Sequence, residues 1–315
     1  TKVVSDDYLS QSLNDSSLIS PIYSKTASIE GLSFALSDDG NSYLVSDTSS
    51  TSPSGDVVIP NMYNGKPVSG LKSGSVQVGR YDYASFSGTN ITSIILPNSI
   101  TAIRANGFSS CSGLTNISIP NSVTSIGDSA FGGCSSLTNI EIPDSVTYMG
   151  QYAFSSCEEL ISVTIGNGIT SIEYRTFNLC SNLENIIMPN KLKNIDLGAF
   201  SGCASLTSIE IPNTVTSIGI YAFESCSGLT NIEIPDSVIS IGKNAFQNCT
   251  SLTKIFIHKS ASNGFSPFNS CSSTLQIYCE ASSKPSGWGD YWNYYDSGKT
   301  LNVTWGVSRA EFDAL

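Results

Sequence analysis

Apolar residues return along this chain at a fixed period of 23 residues. Leucine, phenylalanine and cysteine each form a column at that spacing, within the pattern L-x-x-I-x-I-P-x-S-V-x-x-I-G-x-x-A-F-x-x-C-x-x. The phenylalanine column contains Phe108, Phe131, Phe154, Phe177, Phe200, Phe223 and Phe246. A repeat of this length is typical of a solenoid in which each copy forms one coil.

Each copy predicts one strand followed by a return segment. In the third copy Ile140 and Ile142 are two residues apart, which is the alternation of a strand, and Pro143 ends it because proline cannot donate to a ladder. Gly150 is predicted to allow a tight bend. The segment around Phe154 is predicted to be a short helical or 3₁₀ turn that returns the chain to the next leucine.

The pattern as a whole predicts an α/β fold class, a right-handed leucine-rich-repeat solenoid of about eight coils over residues 91–274. One 23-residue copy buries too little apolar surface to fold alone, so neighbouring coils must cover its open faces. Their strands are expected to pair edge to edge, about 4.8 Å apart, into a parallel sheet on the concave side.

The ends of the chain depart from the repeat. Residues 1–30 are predicted to be an extended leader, and residues 31–90 a capping β-hairpin around Asp39-Gly40 followed by a degenerate repeat. Residues 275–315 are predicted to be a C-terminal cap and tail, and residues after Val307 carry no clear signal. The aromatic residues expected to cover the last coil are Trp288, Trp292, Tyr294, Tyr295 and Trp305.

The phrase "IPNSVTSIGDSAFGGC", residues 119–134, closely resembles the BspA-like leucine-rich repeats, and it recurs in register through the eight copies. The degenerate first copy and the "GWGDYWN" stretch near the C-terminus fit the same family. The resemblance implies a bacterial protein that is extracellular or at the cell surface, and a role in adhesion to host or matrix components.

Charge and composition limit the kinds of molecule that this chain is expected to bind. The net charge of −11 and pI near 4.4 disfavour nucleic acid, which an acidic surface repels. No apolar run is long enough to span a membrane, so no membrane insertion is expected. The chain starts at Thr1 rather than Met, from which we expect that a signal peptide has been removed. We expect a monomer.

Few residues of this sequence could act in catalysis or bind a metal. We therefore predict a protein that is not an enzyme and needs no cofactor or metal. Seven of the nine cysteines share one column, which predicts a ladder of buried thiols, whereas Cys279 lies outside the register and is the best candidate for a reactive thiol. The lone His258 is predicted to be a surface residue beside Lys259. Glu210 and Glu233 are expected about 5 Å apart on neighbouring strands, a separation found in retaining glycosidases, but a flat sheet offers them no cleft.

The candidate ligand-binding residues are those that point outward between the two isoleucines of each strand. This column varies while the packing columns do not, and solenoids use such extended surfaces for binding. It contains Ile95, Ser118, Glu141, Thr164, Ile187, Glu210, Glu233 and Phe256. The ligand is predicted to be a protein or a glycan. The alternative is a structural spacer with no ligand of its own.

Overall fold

The computed structural model describes residues 31–47, 52–78, 81–84, 86–259, 261–263, 266–286, 288–296 and 299–315. The predicted leader lies outside them. We number the coils from Ile91, so that the third coil begins at Leu137 and the sixth at Leu206. Strands are numbered in chain order, and three groups of them make up the fold.

The predicted leucine-rich-repeat solenoid is confirmed. Its main strands pair in parallel with an offset of one repeat, as Ile140 pairs with Val163 and Ile142 with Ile165. The main strands are β3 (Ser54–Val58), β8 (Asn90–Ile95), β10 (Asn116–Ser118), β12 (Asn139–Ile142), β14 (Ser162–Ile165), β16 (Asn185–Ile187), β19 (Asn231–Glu233), β21 (Lys254–Ile257), β23 (Gln276–Cys279) and β26 (Asn302–Trp305).

A second parallel ladder runs along the solenoid, and the sequence reasoning missed it. It is built from two-residue strands, which are too short to show alternation. These are β9 (Ala102–Ile103), β11 (Ser125–Ile126), β13 (Tyr148–Met149), β15 (Ser171–Ile172), β17 (Asn194–Ile195), β18 (Ser217–Ile218), β20 (Ser240–Ile241) and β22 (Ser262–Asn263). The second residue of each strand from β9 to β20 points inward and is isoleucine except for Met149, so this ladder supplies a second wall of the core.

The return segments are hydrogen-bonded turns, so the predicted helical or 3₁₀ conformation is wrong. Each regular return contains two residues with left-handed backbone, such as Ser129 (φ 51°) and Gly133 (φ 75°) in the second coil. A right-handed helix cannot continue through such residues. The helical part of the predicted α/β class is therefore small: across the described ranges the one helix is α1 (Arg309–Asp313).

The core is a stack of aromatic rings. From Phe86 to Phe268, one phenylalanine per coil lies fully buried with its ring centroid 5.1 to 5.8 Å from the next. Each ring is nearly parallel to its neighbours because the coils repeat the same backbone. Gly150 does not have left-handed backbone. It is needed because the preceding coil lies close by, so that a Cβ there would be 2.5 Å from the backbone nitrogen of Asp128.

Both ends carry additional strands. At the N-terminal end the predicted hairpin is present, with β1 (Leu32–Leu36) antiparallel to β2 (Tyr43–Asp47) around the Asp39-Gly40 turn. At the other end, Trp288, Trp292 and Trp305 pack against one another beside the last main strands. The remaining strands are β4 (Met62–Tyr63), β5 (Lys66–Leu71), β6 (Ser73–Val78), β7 (Tyr81–Ala84), β24 (Tyr294–Asp296) and β25 (Lys299–Thr300). The division of the chain into leader, caps and tail stays a prediction.

Both ladders are interrupted in the middle of the solenoid. The main sheet is divided between β10 and β12, and it has no strand in the sixth coil, where residues 207–211 make no ladder bonds. The second ladder breaks between β13 and β15, that is, between the third and fourth coils.

Candidate functional site

The predicted binding column lies on the outer side of the main strands, which we call the main-sheet face. Ser118, Glu141, Thr164, Ile187 and Glu210 are exposed there, and Ile95 is half-buried. Ile187 is 64% exposed and is the largest apolar feature of the column. Glu233 is also exposed, but a neighbouring segment contacts it. The structure thus places seven of the eight predicted residues on one accessible face.

Phe256 is the exception, and its predicted exposure is wrong. Its side chain is fully buried because Phe312 of α1 packs against it, with the ring centroids 5.2 Å apart. The guanidinium of Arg309 lies over the same ring at 5.5 Å. The C-terminal segment therefore folds back onto the main-sheet face and covers one end of it.

The sequence contains the signal for α1, although we found none after Val307. Ser308 and Glu311 form a capping box, in which the Ser308 hydroxyl accepts from the Glu311 N–H and the Glu311 carboxylate accepts from the Ser308 N–H. Phe312 then falls on the face of the helix that meets the sheet. An S-x-x-E motif followed by a buried aromatic residue was available to sequence reasoning.

Arg309 fixes this helix to the solenoid. Its guanidinium pairs with Glu233 on β19 and with Asp313 in its own helix. An open cavity of about 450 Å³ remains beside this contact. Its lining consists of Asn213, Glu233, Pro235, Asp236, Ser237, Arg309 and Asp313.

Only one of the two carboxylates expected on neighbouring strands lies on a strand of the main sheet. Glu210 lies in the coil that lacks a main strand, and Glu233 is paired with Arg309. The two carboxylates therefore do not stand on adjacent paired strands, which is the arrangement that the two-carboxylate hypothesis assumes.

His258 is less exposed than predicted and lies between two carboxylates. Its Nε2 is 2.8 Å from Glu280 Oε2 and 3.8 Å from Asp236 Oδ1, and its side chain is only 16% exposed. Lys259 also pairs with Glu280. His258 thus contacts acidic side chains from the coil before its own and from the segment after it.

The predicted ladder of free, buried thiols is confirmed. Each thiol also donates to the carbonyl oxygen of the phenylalanine one coil earlier, at 2.9 to 3.3 Å, which sequence reasoning missed. Cys279, the best candidate for a reactive thiol, points into the core from β23, and burial raises the pKa of its thiol to about 12, which disfavours the reactive thiolate.

Two features are absent from the described residues. These residues contain no group of three or more His, Cys, Asp or Glu side chains placed to hold a metal ion. They also contain no helix with the length and hydropathy needed to cross a membrane.

Known proteins identify the class of this chain. The BspA type leucine rich repeat region matches it in six copies over residues 81–207 and 193–288, so the chain belongs to that family. No curated protein sequence matches it.

Solved structures agree with the family. A leucine-rich repeat protein from Bacteroides ovatus is 28% identical, with a TM-score of 0.63, over 81% of this chain and 71% of that one. A leucine rich cell surface protein from Faecalibacterium prausnitzii is 25% identical, with a TM-score of 0.56, over 91% and 96% of the two chains. Leucine-rich-repeat solenoids of this kind are typically binding or scaffold proteins without catalysis.

Proposed function

We propose that this chain is a non-catalytic binding protein, displayed on or released from a bacterial cell, that holds a protein ligand on its main-sheet face in the manner of an adhesin. Membership of the BspA-type family supports this location, as does the likeness to a protein described as a cell surface protein. The residues of the face are those that vary between coils.

One observation carries the proposal. The chain's own C-terminal segment binds this face through two contacts. The Arg309 guanidinium pairs with Glu233, and the Phe312 ring packs on Phe256. A protein segment that presents basic and apolar side chains would find the same chemistry on the uncovered part of the face. Glu141 and Glu210 offer carboxylates there, and Ile187 offers an apolar contact.

The test is a binding screen of the full chain against purified extracellular matrix proteins and mucins. The variant Glu141→Gln/Ile187→Ser/Glu210→Gln changes only exposed side chains, so its Tm should match that of the wild type. Its affinity should fall at least about tenfold. Binding by the wild type should also weaken as salt rises, because the face is acidic.

A matched control changes two exposed carboxylates on a return segment, Glu158→Gln and Glu159→Gln, and should leave affinity unchanged. Equal losses in both variants would contradict a role for the main-sheet face. An absence of saturable binding by the wild type would favour a structural spacer instead.

A further inference from the structure

Four tyrosines, an arginine and an isoleucine lie on β13 and on the return segments of the third, fourth and sixth coils, away from the main strands. The group begins at the break between β13 and β15. Tyr148, Tyr152 and Tyr221 stand in columns where most other coils have alanine, serine, asparagine or glycine, whereas the column of Tyr174 and Ile220 varies freely. The six residues are Tyr148, Tyr152, Tyr174, Arg175, Ile220 and Tyr221, which we call the tyrosine cluster.

Three of these residues occupy a column in which every coil has left-handed backbone. The left-handed column consists of Asn106, Ser129, Tyr152, Arg175, Gly198, Tyr221 and Asn244. Glycine and asparagine adopt this conformation readily, whereas a bulky side chain is disfavoured by about 1–2 kcal/mol. Tyr152 (φ 56°), Arg175 (φ 51°) and Tyr221 (φ 56°) are thus placed against the local preference.

The turn conformation gives no reason for this choice, because asparagine and serine serve the same turn in other coils. Strained residues that persist are concentrated at functional sites, since there the side chain is needed for something other than stability. Their side chains are also accessible: Tyr148 is 48% and Ile220 41% exposed, and the others are half-buried.

The centre of the cluster is a set of direct contacts between the third and fourth coils, and Tyr221 occupies the same column as Tyr152 in the sixth coil. Tyr152 and Tyr174 meet edge to face with centroids 4.9 Å apart, and the Arg175 guanidinium lies 5.4 Å from the Tyr174 ring centre. The stem of Arg175 crosses Gly198, where a Cβ would lie 3.0 Å from Arg175 Cγ. Glycine at this position therefore leaves room for the arginine.

Polar groups of both kinds border the rings. Arg175 Nε is shielded from solvent and makes no hydrogen bond within the described part of the chain. Glu173 and Asp196 replace the glycine of the pattern in two adjacent coils, directly before this surface. Donors and acceptors thus stand beside aromatic faces, as in sites that orient a ligand of mixed polarity.

We propose that the tyrosine cluster is a second binding site, specific for a neutral polysaccharide that runs along the solenoid axis. The apolar C–H face of a sugar packs on a tyrosine ring, while its hydroxyls bond to Glu173, Asp196 and Arg175. Coils advance by about 4.8 Å, close to the advance of one hexose in an extended β-linked chain, so the third and fourth coils would meet adjacent sugars and the sixth coil a sugar two places further on.

Size and charge favour a glycan over other polymers. Six side chains are far fewer than the roughly 20–30 residues that each partner gives to a stable protein interface. A polyanion would be repelled by the net charge of −11. A neutral oligosaccharide needs neither a large interface nor a basic surface.

The test uses the full chain and hexasaccharides of β-1,4-linked glucose, xylose and mannose, with binding measured by calorimetry. The wild type should bind at least one of them, and Tyr152→Asn/Tyr221→Asn should lose at least about tenfold in affinity. The Tm of this double variant should be equal or higher, because asparagine suits left-handed backbone. Tyr152→Phe keeps the ring and should keep binding.

Asn244→Ser, in the same column outside the cluster, is the matched control and should bind normally. The main-sheet variant Glu141→Gln/Ile187→Ser/Glu210→Gln should also bind these sugars normally, which separates this site from the proposed function. Absence of binding by the wild type, or unchanged binding by the double variant, would overturn the proposal. So would a lowered Tm of the double variant, or a matrix protein whose binding depends on the two tyrosines.

Discussion

The sulfur of Cys180 lies 3.2 Å from the carbonyl oxygen of Phe154, one coil earlier, and both groups are buried in the core. Burial raises the pKa of this thiol to about 12, and likewise that of Cys226. The unfolded chain would ionise each thiol near pH 8.5. We therefore expect full thiol-linked stability below about pH 8.5 and a progressive loss between that value and about pH 12.

Each buried thiol should contribute about 1.4 kcal/mol per pH unit to this loss, because the folded state keeps a proton that the unfolded state releases. The measurement is the free energy of unfolding by urea at several pH values from 7 to 10.5. Cys180→Ala/Cys226→Ala should be less stable at pH 7 but lose stability less steeply as pH rises. Identical slopes for variant and wild type would show that these thiols titrate normally in the fold.

Phe177 is stacked between Phe154 and Phe200, each 5.5 Å away between ring centres, and has no exposed surface. Phe177→Ala should lower the free energy of unfolding by about 3–5 kcal/mol, as expected when a buried aromatic side chain leaves a cavity. Ile187→Ala, on the exposed main-sheet face, should change it by about 0.5 kcal/mol or less. A loss below about 1 kcal/mol for Phe177→Ala would refute the packing of this column.

The columns of leucine, phenylalanine and cysteine could be predicted from sequence because a 23-residue period fixes which residues share an environment. The burial of Phe256 could not, since it depends on Phe312, which lies 56 residues later in a non-repeating segment. The burial of Cys279 could not be predicted for a related reason. It takes an inward position on β23 that the repeat fills with isoleucine.

The return segments contain a sequence signal for left-handed turns that the prediction of a helical return did not take into account. Asparagine, serine and glycine recur at two positions of the return, and these residues suit left-handed backbone, which ends a helix. The same pattern, once known, makes Tyr152 and Tyr221 stand out as residues that the turn does not favour. The second candidate site could therefore be found only after the backbone conformation was known.

Gly150 lies against the preceding coil, where a Cβ would meet the backbone of Gly127 and Asp128 at 2.5 to 2.7 Å. Gly150→Ala should therefore push the two coils apart and lower the free energy of unfolding by about 1–3 kcal/mol. Gly132→Ala is the control, because the nearest atom to its Cβ would be 3.4 Å away. Urea unfolding distinguishes the two, and equal stabilities would contradict the close approach at Gly150.

The capping box at Ser308 should govern how firmly α1 covers the main-sheet face. Ser308→Ala removes the acceptor for the Glu311 N–H and should destabilise the helix by about 1 kcal/mol, so that amide exchange at residues 309–313 becomes about fivefold faster. The hydrogen bonds from the Ser308 side chain and backbone lower the pKa of Glu311. The stability that these hydrogen bonds give to the helix is therefore present above the unfolded-state pKa of about 4.3 and is lost as pH falls below it.

Ser308→Thr retains a hydroxyl at the cap and should exchange like the wild type, which separates loss of the cap from any change at this position. Exposure of Phe256 should follow exchange of the helix, because Phe312 covers its ring only while α1 is formed. If Ser308→Ala leaves exchange at residues 309–313 unchanged, then the contact between Arg309 and Glu233, rather than the cap, holds the segment in place. In that case Glu233→Gln should produce the faster exchange instead.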